Sequence, residues 1–111
     1  MSQTIAVIRG DGIGPEIVDS VLRVLDALKL GLKYEFVEAG MAAQQSVGEL
    51  LPQATLDAIS RHKVALKGPL TTPIGGGFSS LNVELRKHFV LYANVRPAIT
   101  FPGTKARYEN I

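Results

Sequence analysis

The sequence predicts an α/β fold: a mainly parallel sheet with helices on its faces. Three observations predict it. Short β-branched apolar runs alternate with longer amphipathic segments. Both glycine-rich stretches directly follow an apolar run. The chain has 111 residues, the size of one domain. Strands that alternate with helices pair in parallel through right-handed crossovers, and ligands gather at the carboxyl ends of such strands.

The first run, Ile5-Ala6-Val7-Ile8, reads as a buried strand ended by Gly10. Gly10-Asp11-Gly12-Ile13-Gly14-Pro15-Glu16 follows. Pro15 suits the first turn of a helix, and Glu16 complements its positive start. Ile17, Val18, Val21, Leu22, Leu25 and Leu28 then make one broad apolar face, with Gly31 as the stop. Residues 32–38 form a second strand, and 40–47 an ambiguous short helical stretch. Residues 52–60 form a better helix, with Leu56 and Ile59 inward. Val64-Ala65-Leu66 reads as a third short buried strand. Residues 68–80 are a loop of Gly, Pro, Thr and Ser. Residues 81–89 form a helix carrying Leu81, Leu85 and Phe89 at four-residue spacing. Residues 91–95 read as a strand stopped by Pro97. Three or four strands are therefore expected, with 5–8 and 64–66 innermost. One convincing helix, one moderate helix and two short candidates do not cover both faces, so an apolar face or an edge is expected to stay open.

Composition excludes several classes. At 46% hydrophobic residues the chain is no disordered tail, and no apolar run reaches membrane-spanning length. Without cysteine there are no disulfides, thiolate chemistry or Cys-ligated metals. Met1-Ser2-Gln3-Thr4 enters a strand directly, with no signal-peptide pattern, so a cytoplasmic protein is expected. A net charge of +2 with no basic stripe argues against nucleic acid.

Gly10-x-Gly12-x-Gly14 is not the dinucleotide fingerprint, because Pro15 occupies the sixth position. Its free amides can receive an anion or a ribose edge, or it is a tight turn that needs glycine dihedrals. The loop from Gly68 is not a phosphate-binding P-loop, since no Gly-Lys-Ser/Thr follows. Thirteen irregular residues with two threonines and four glycines in a compact domain point to a role beyond connection. Asn82 and Arg86 lie four apart on one helical face, with Ser80 at its start. Arg96 follows a predicted strand. Two guanidiniums, a hydroxyl and an amide can converge on a polycarboxylate, which Arg binds bidentately. The plainer reading leaves both arginines solvated and uses Ser80 and Asn82 as caps. Lys67 ends a strand beside the threonine loop and is the lysine best placed for a polar role. His62 and His88 sit among basic neighbours with no acid partner or metal spacing, and read as surface residues. Asp19, Asp26 and Asp57 read as solvent-facing.

Four segments together resemble the β-decarboxylating dehydrogenases, the isocitrate and 3-isopropylmalate dehydrogenases. They are Ile8 to Glu16, Leu66-Lys67-Gly68-Pro69-Leu70-Thr71-Thr72-Pro73, Ser80-Leu81-Asn82-Val83-Glu84-Leu85-Arg86, and Tyr92-Ala93-Asn94-Val95-Arg96-Pro97. The resemblance implies an isocitrate/isopropylmalate dehydrogenase-like fold, here incomplete. Residues 1–111 would be the amino-terminal part of its large α/β domain, with no separate second domain.

Within the family the isocitrate enzymes are the nearer likeness. The resemblance gives Ser80 and Asn82 the γ-carboxylate of isocitrate, and Arg86 and Arg96 its other carboxylates. Ser80 and Asn82 would reject an isopropyl group, which leaves their polar atoms unpaired. It places Thr71 and Thr72 near the nicotinamide ribose, Ile13 against the adenosine side, and Lys67 in the cofactor loop. The implied cofactors are NAD or NADP, with the short amino terminus favouring NAD, and Mg2+ or Mn2+. Arg9 replaces the family's usual proline, and Ser79 a common basic residue. Family members are roughly three times longer, as a two-domain architecture requires. Their metal-binding aspartates and catalytic tyrosine and lysine lie beyond this stretch, so no catalytic or metal residue is expected here. Tyr108-Glu109-Asn110-Ile111 leaves the expectation of a chain that stops in mid-architecture. The expected partners are isocitrate and a second polypeptide, either another copy or the remainder of the enzyme. The alternatives are an inactive remnant serving as a binding module, or a 3-isopropylmalate or homoisocitrate enzyme.

Overall fold

The computed structural model describes residues 2–73, 77 and 79–108. Its elements run β1 (Gln3–Ile8), α1 (Gly14–Ala27), β2 (Leu32–Val37), α2 (Met41–Val47), α3 (Gln53–His62), β3 (Ala65–Lys67) and α4 (Leu81–His88). The strands form one sheet in the order β2-β1-β3, and both pairings are parallel. Ile5 lies opposite Tyr34, Val7 opposite Phe36 and Leu66, and Ile8 opposite Val37 and Lys67.

This register sorts the side chains onto two faces, because a strand alternates. Ile5 and Val7 pack with Val18 and Leu22 of α1, joined by Leu25, Tyr34 and Leu66. Ala6 and Ile8 point to the opposite face, where α3 crosses β1 and β2, and both are fully buried. Leu56, Ala58 and Thr55 of α3 are buried there, and the Thr55 hydroxyl donates to the Glu38 carbonyl at 2.6 Å. Leu81 and Leu85 fasten α4 to the molecule, with Leu81 only 1% exposed.

The structure corrects four expectations. The helix that was to end at Gly31 ends at Ala27, and the chain turns back through Lys29 and Gly31, both at positive φ. Of its broad apolar face, only Val18 and Leu22 are fully buried and Leu25 partly so. Ile17, Val21, Val24 and Leu28 form an exposed stripe along the helix flank. The strand expected over 64–66 spans Ala65–Lys67, and it is an edge rather than an inner strand, with Ala65 and Lys67 exposed. Only β1 is central. Residues 91–95 form no strand: 91–108 run irregularly, and Tyr92, Val95, Ile99 and Phe101 are exposed. A strand needs a neighbouring backbone to pair with, and none runs beside this segment among the described residues. The open edge at β3 and the apolar stripe on α1 agree with the expectation of an unclosed sheet. Met1 and the ending at 109–111 lie outside the described residues, as do Ile74, Gly75, Gly76 and Phe78 of the threonine loop.

Candidate functional site

Parallel strands deliver the loops after β1, β2 and β3 to one edge of the sheet, and there the loops interlock. Gly68 N–H donates to the Ile8 carbonyl at 2.8 Å, and Asp11 N–H to the Pro69 carbonyl at 2.8 Å. The fit is made by glycines. A Cβ on Gly10 would lie 2.2 Å from the Pro69 carbonyl oxygen, and one on Gly68 would lie 2.1 Å from that of Arg9. Gly10 also has φ +80°, which side chains disfavour. The glycine-rich turn therefore serves close packing between two loops before it can serve any ligand.

Asp11 joins a third element to this edge. Its carboxylate accepts from the backbone N–H of Met41 and Ala42, each at 3.0 Å, and from Thr71 N–H at 2.7 Å. The Thr72 hydroxyl accepts from Leu81 N–H at 3.3 Å, so the threonine loop is tied to the start of α4. Asp11 was not among the residues the sequence singled out. Its acceptor role depends on amides 30 and 60 positions away. The only local signal was a carboxylate set between glycines in a strand-to-helix turn.

Alongside β3 lies a cleft of about 220 Å³, lined by Ile8, Ala65, Lys67, Asn82, Arg86 and Phe89 among others. It has room for a small metabolite, below the roughly 300–1,000 Å³ of drug-sized pockets. Three of the residues the sequence proposed meet here: Lys67, Asn82 and Arg86. The Lys67 ammonium donates to the Gly68 carbonyl at 2.8 Å. Partial burial of the ammonium first, and then the Arg86 guanidinium, hold its pKa below the ordinary lysine value. Two cations facing one cleft favour an anion between them. The Asn82 side-chain oxygen is buried with no hydrogen-bond partner among the described residues. An orphaned acceptor of this kind costs on the order of 1–3 kcal/mol until a donor arrives.

Other proposed residues stand apart from the cleft. Ser80 is exposed and opens α4; neither it nor Asn82 caps the helix through its side chain. Arg96 is exposed on the irregular segment and does not line the cleft. Thr71 and Ile13 are exposed on the loop edge, and Thr71 N–H donates to the Asp11 carboxylate. Among the described residues no three His, Asp or Glu side chains cluster together.

Of the histidines, His62 departs from expectation. It has an acid partner: its Nε2 meets the Glu35 carboxylate, which also accepts from Arg61 at 2.6 Å. The contact joins the end of α3 to β2, across a sequence separation that local reading cannot span. His88 is exposed and packs edge-on against Phe89 at 4.7 Å. Asp19, Asp26 and Asp57 are exposed, as expected, and bond to Arg9, Tyr34 and Gln53. Arg9 also lies 4.2 Å over the Phe36 ring.

Comparison with known proteins gives this arrangement its family. The chain is 46% identical over 109 residues to a mitochondrial NAD isocitrate dehydrogenase regulatory subunit of Dictyostelium discoideum, covering 98% of this chain and 29% of that protein. It is 50% identical over 105 residues to the NADP isocitrate dehydrogenase of Thermus thermophilus, covering 94% of this chain and 21% of that one. The crystal structure of isocitrate dehydrogenase from Methylococcus capsulatus matches with a TM-score of 0.90 and 49% identity, over 98% of this chain and 32% of that chain. The chain thus spans between a fifth and a third of each of these relatives. The family described as isocitrate/isopropylmalate dehydrogenase matches residues 4–110. With that match extending from β1 through the cleft and the segment beyond it, the chain belongs to the isocitrate/isopropylmalate dehydrogenase family of oxidoreductases.

Proposed function

We propose that this chain is the amino-terminal part of the large α/β domain of an NAD(P)-dependent isocitrate dehydrogenase, which oxidatively decarboxylates isocitrate to 2-oxoglutarate. The observation that carries the substrate is the cleft that Lys67, Arg86 and Asn82 line together, with the Asn82 oxygen buried and without a partner among the described residues. Two cations suit a polycarboxylate, and the orphaned oxygen suits a donor such as a substrate hydroxyl. An isopropyl group would leave the polar atoms of Ser80 and Asn82 unpaired, so 3-isopropylmalate is the poorer fit.

In this reading Arg86 clamps a carboxylate from the cleft and Ser80 reaches the substrate from the exposed start of α4. Arg96 is the outer arm of the clamp, on its exposed segment. Thr71, Thr72 and Ile13 form the wall for the nicotinamide nucleotide, and Lys67 stands at the junction of the two sites. When bound, the nicotinamide supplies the hydride acceptor. The chain's own residues bind and orient; base, acid and Mg2+ or Mn2+ ligands are assigned to a part of the enzyme outside this stretch. The open β3 edge and the apolar stripe on α1 are where that part, or a second copy, would pack.

A chimera tests the reading. This chain replaces the matching segment of the Methylococcus capsulatus isocitrate dehydrogenase, to which it is 49% identical. The chimera should oxidise isocitrate and leave 3-isopropylmalate untouched, and the Arg86→Ala form should lose isocitrate affinity more than nucleotide affinity. Preference for 3-isopropylmalate, or equal losses for both ligands, would overturn it. The 111-residue chain alone should reduce neither NAD nor NADP.

A further inference from the structure

We propose that Asp11 is a positioning residue for the nucleotide wall: its carboxylate sets where the Thr71–Thr72 loop stands. The inference rests on the functional reading above for its consequence, and on geometry for its substance. The helix α2 begins at Met41 after Gly40, and no local side chain caps it. The first amides of a helix have no partner inside it. Asp11, 30 residues earlier, meets two of them: Oδ2 accepts from Met41 N–H and Oδ1 from Ala42 N–H. Oδ2 accepts a third bond, from Thr71 N–H, the shortest of the set at 2.7 Å.

One carboxylate therefore holds the loop after β3 against the element after β2, while its own backbone N–H donates to the Pro69 carbonyl. The approach is tight. Gly40 has φ +79°, and a Cβ there would lie 2.2 Å from Asp11 Oδ2. A charged acceptor with two oxygens can serve three amides; an amide side chain offers one oxygen and turns an NH2 toward the remaining N–H groups. Asparagine is nearly the same size, so it removes the clamp with little change in packing. The clamp acts on Thr71 through its backbone N–H and does not engage the Thr71 hydroxyl. Thr72, the next residue, reaches the amide of Leu81, so the register set by Asp11 is passed to the start of α4.

The test has two arms. In the isolated chain, amide exchange is followed by NMR for wild type, Asp11→Asn and, as a control, the exposed Asp19→Asn. In Asp11→Asn the Thr71, Met41 and Ala42 amides should exchange at least about tenfold faster, the loss of a charge-assisted bond, while Val7 in β1 is unchanged. If Asp11→Asn does not fold, the through-bond coupling between the Thr71 nitrogen and the Asp11 carboxyl carbon is measured in wild type instead; its absence overturns the proposal. In the chimera, Asp11→Asn should raise the nucleotide KM about tenfold with kcat changed far less, a split that general loss of structure does not produce. Unchanged exchange, or equal falls in kcat and in affinity for both ligands, overturns the positioning role. A wild-type chimera inactive on isocitrate would refute the functional reading and leave the exchange arm to decide the clamp.

Discussion

Replacing Gly68 by alanine puts one methyl group into the place where the two loops meet. Its Cβ would lie 2.1 Å from the Arg9 carbonyl oxygen, 2.9 Å from the Arg9 carbonyl carbon and 3.0 Å from Val18 Cγ2. Relief requires a movement of about 1 Å, far more than a side-chain adjustment in a close-packed interior supplies. The movement is blocked on each side. The Arg9 carbonyl is also closely approached by Gly14, where a Cβ would lie 2.3 Å from the same oxygen. Gly68 itself is held by its N–H bond to the Ile8 carbonyl at 2.8 Å, and Val18 is core. Overpacking ordinarily costs about 1–3 kcal/mol, and with backbone as the obstacle the upper end applies, about 3 kcal/mol. For a urea slope of about 2 kcal/mol/M this lowers the unfolding midpoint by roughly 1.5 M. Gly12→Ala is the internal comparison. Nothing lies within 4 Å of its Cβ, and its φ of +57° is the only obstacle, worth about 1 kcal/mol. Urea unfolding followed by far-ultraviolet circular dichroism compares the two. A Gly68→Ala midpoint at or above that of Gly12→Ala would refute the interlocked-loop account.

Three further outcomes are expected. Leu81→Ala removes a side chain only 1% exposed and should cost about 2–5 kcal/mol in the same unfolding assay, with a loss under about 0.5 kcal/mol contradicting its place in the core. The Glu35 carboxyl is held below its ordinary range by hydrogen bonds from His62 and then Arg61. The stability it adds is therefore present above the ordinary carboxylate pKa and is lost as pH falls through the lowered one; Glu35→Gln should flatten the acid limb of a stability–pH curve, and an unchanged limb would contradict the linkage. Lys67 is lowered by burial first and by Arg86 second, so Arg86→Met should move its titration, followed by NMR at the side-chain carbons, only part of the way back toward 10.5, and no movement would place the two cations in separate sites.

How much was legible follows from how far each cause reaches along the chain. The start of α1 was written locally, by Gly14 and Pro15 followed by Glu16. The parallel sheet followed from the alternation of short apolar runs with helices, and the burial of Ile5, Val7, Leu56 and Leu81 from their spacing. Lys67 was nominated by its place beside a strand end, whereas Asn82 and Arg86 were nominated by the family resemblance of their segment, since their four-residue spacing fits a plain solvated helix face equally well.

Tertiary structure decided the rest. The apolar run at β3 reads the same on a central strand and at an edge; only the order β2-β1-β3 made it an edge. Residues 91–95 have strand-forming side chains, yet ladder formation needs a neighbouring strand, which their own sequence does not contain. The acid partner of His62 lies 27 positions away, and the amides held by Asp11 lie 30 and 60 positions away. The Asp11 contacts exist only after the sheet has brought three loops to one edge, and the His62 pair only after α3 has packed against β2. Sequence by itself determined the alternation of strands and helices and nominated side chains for a site; the parallel sheet decided which of them share a cleft, because strand order and loop packing are set by contacts between segments distant in the chain.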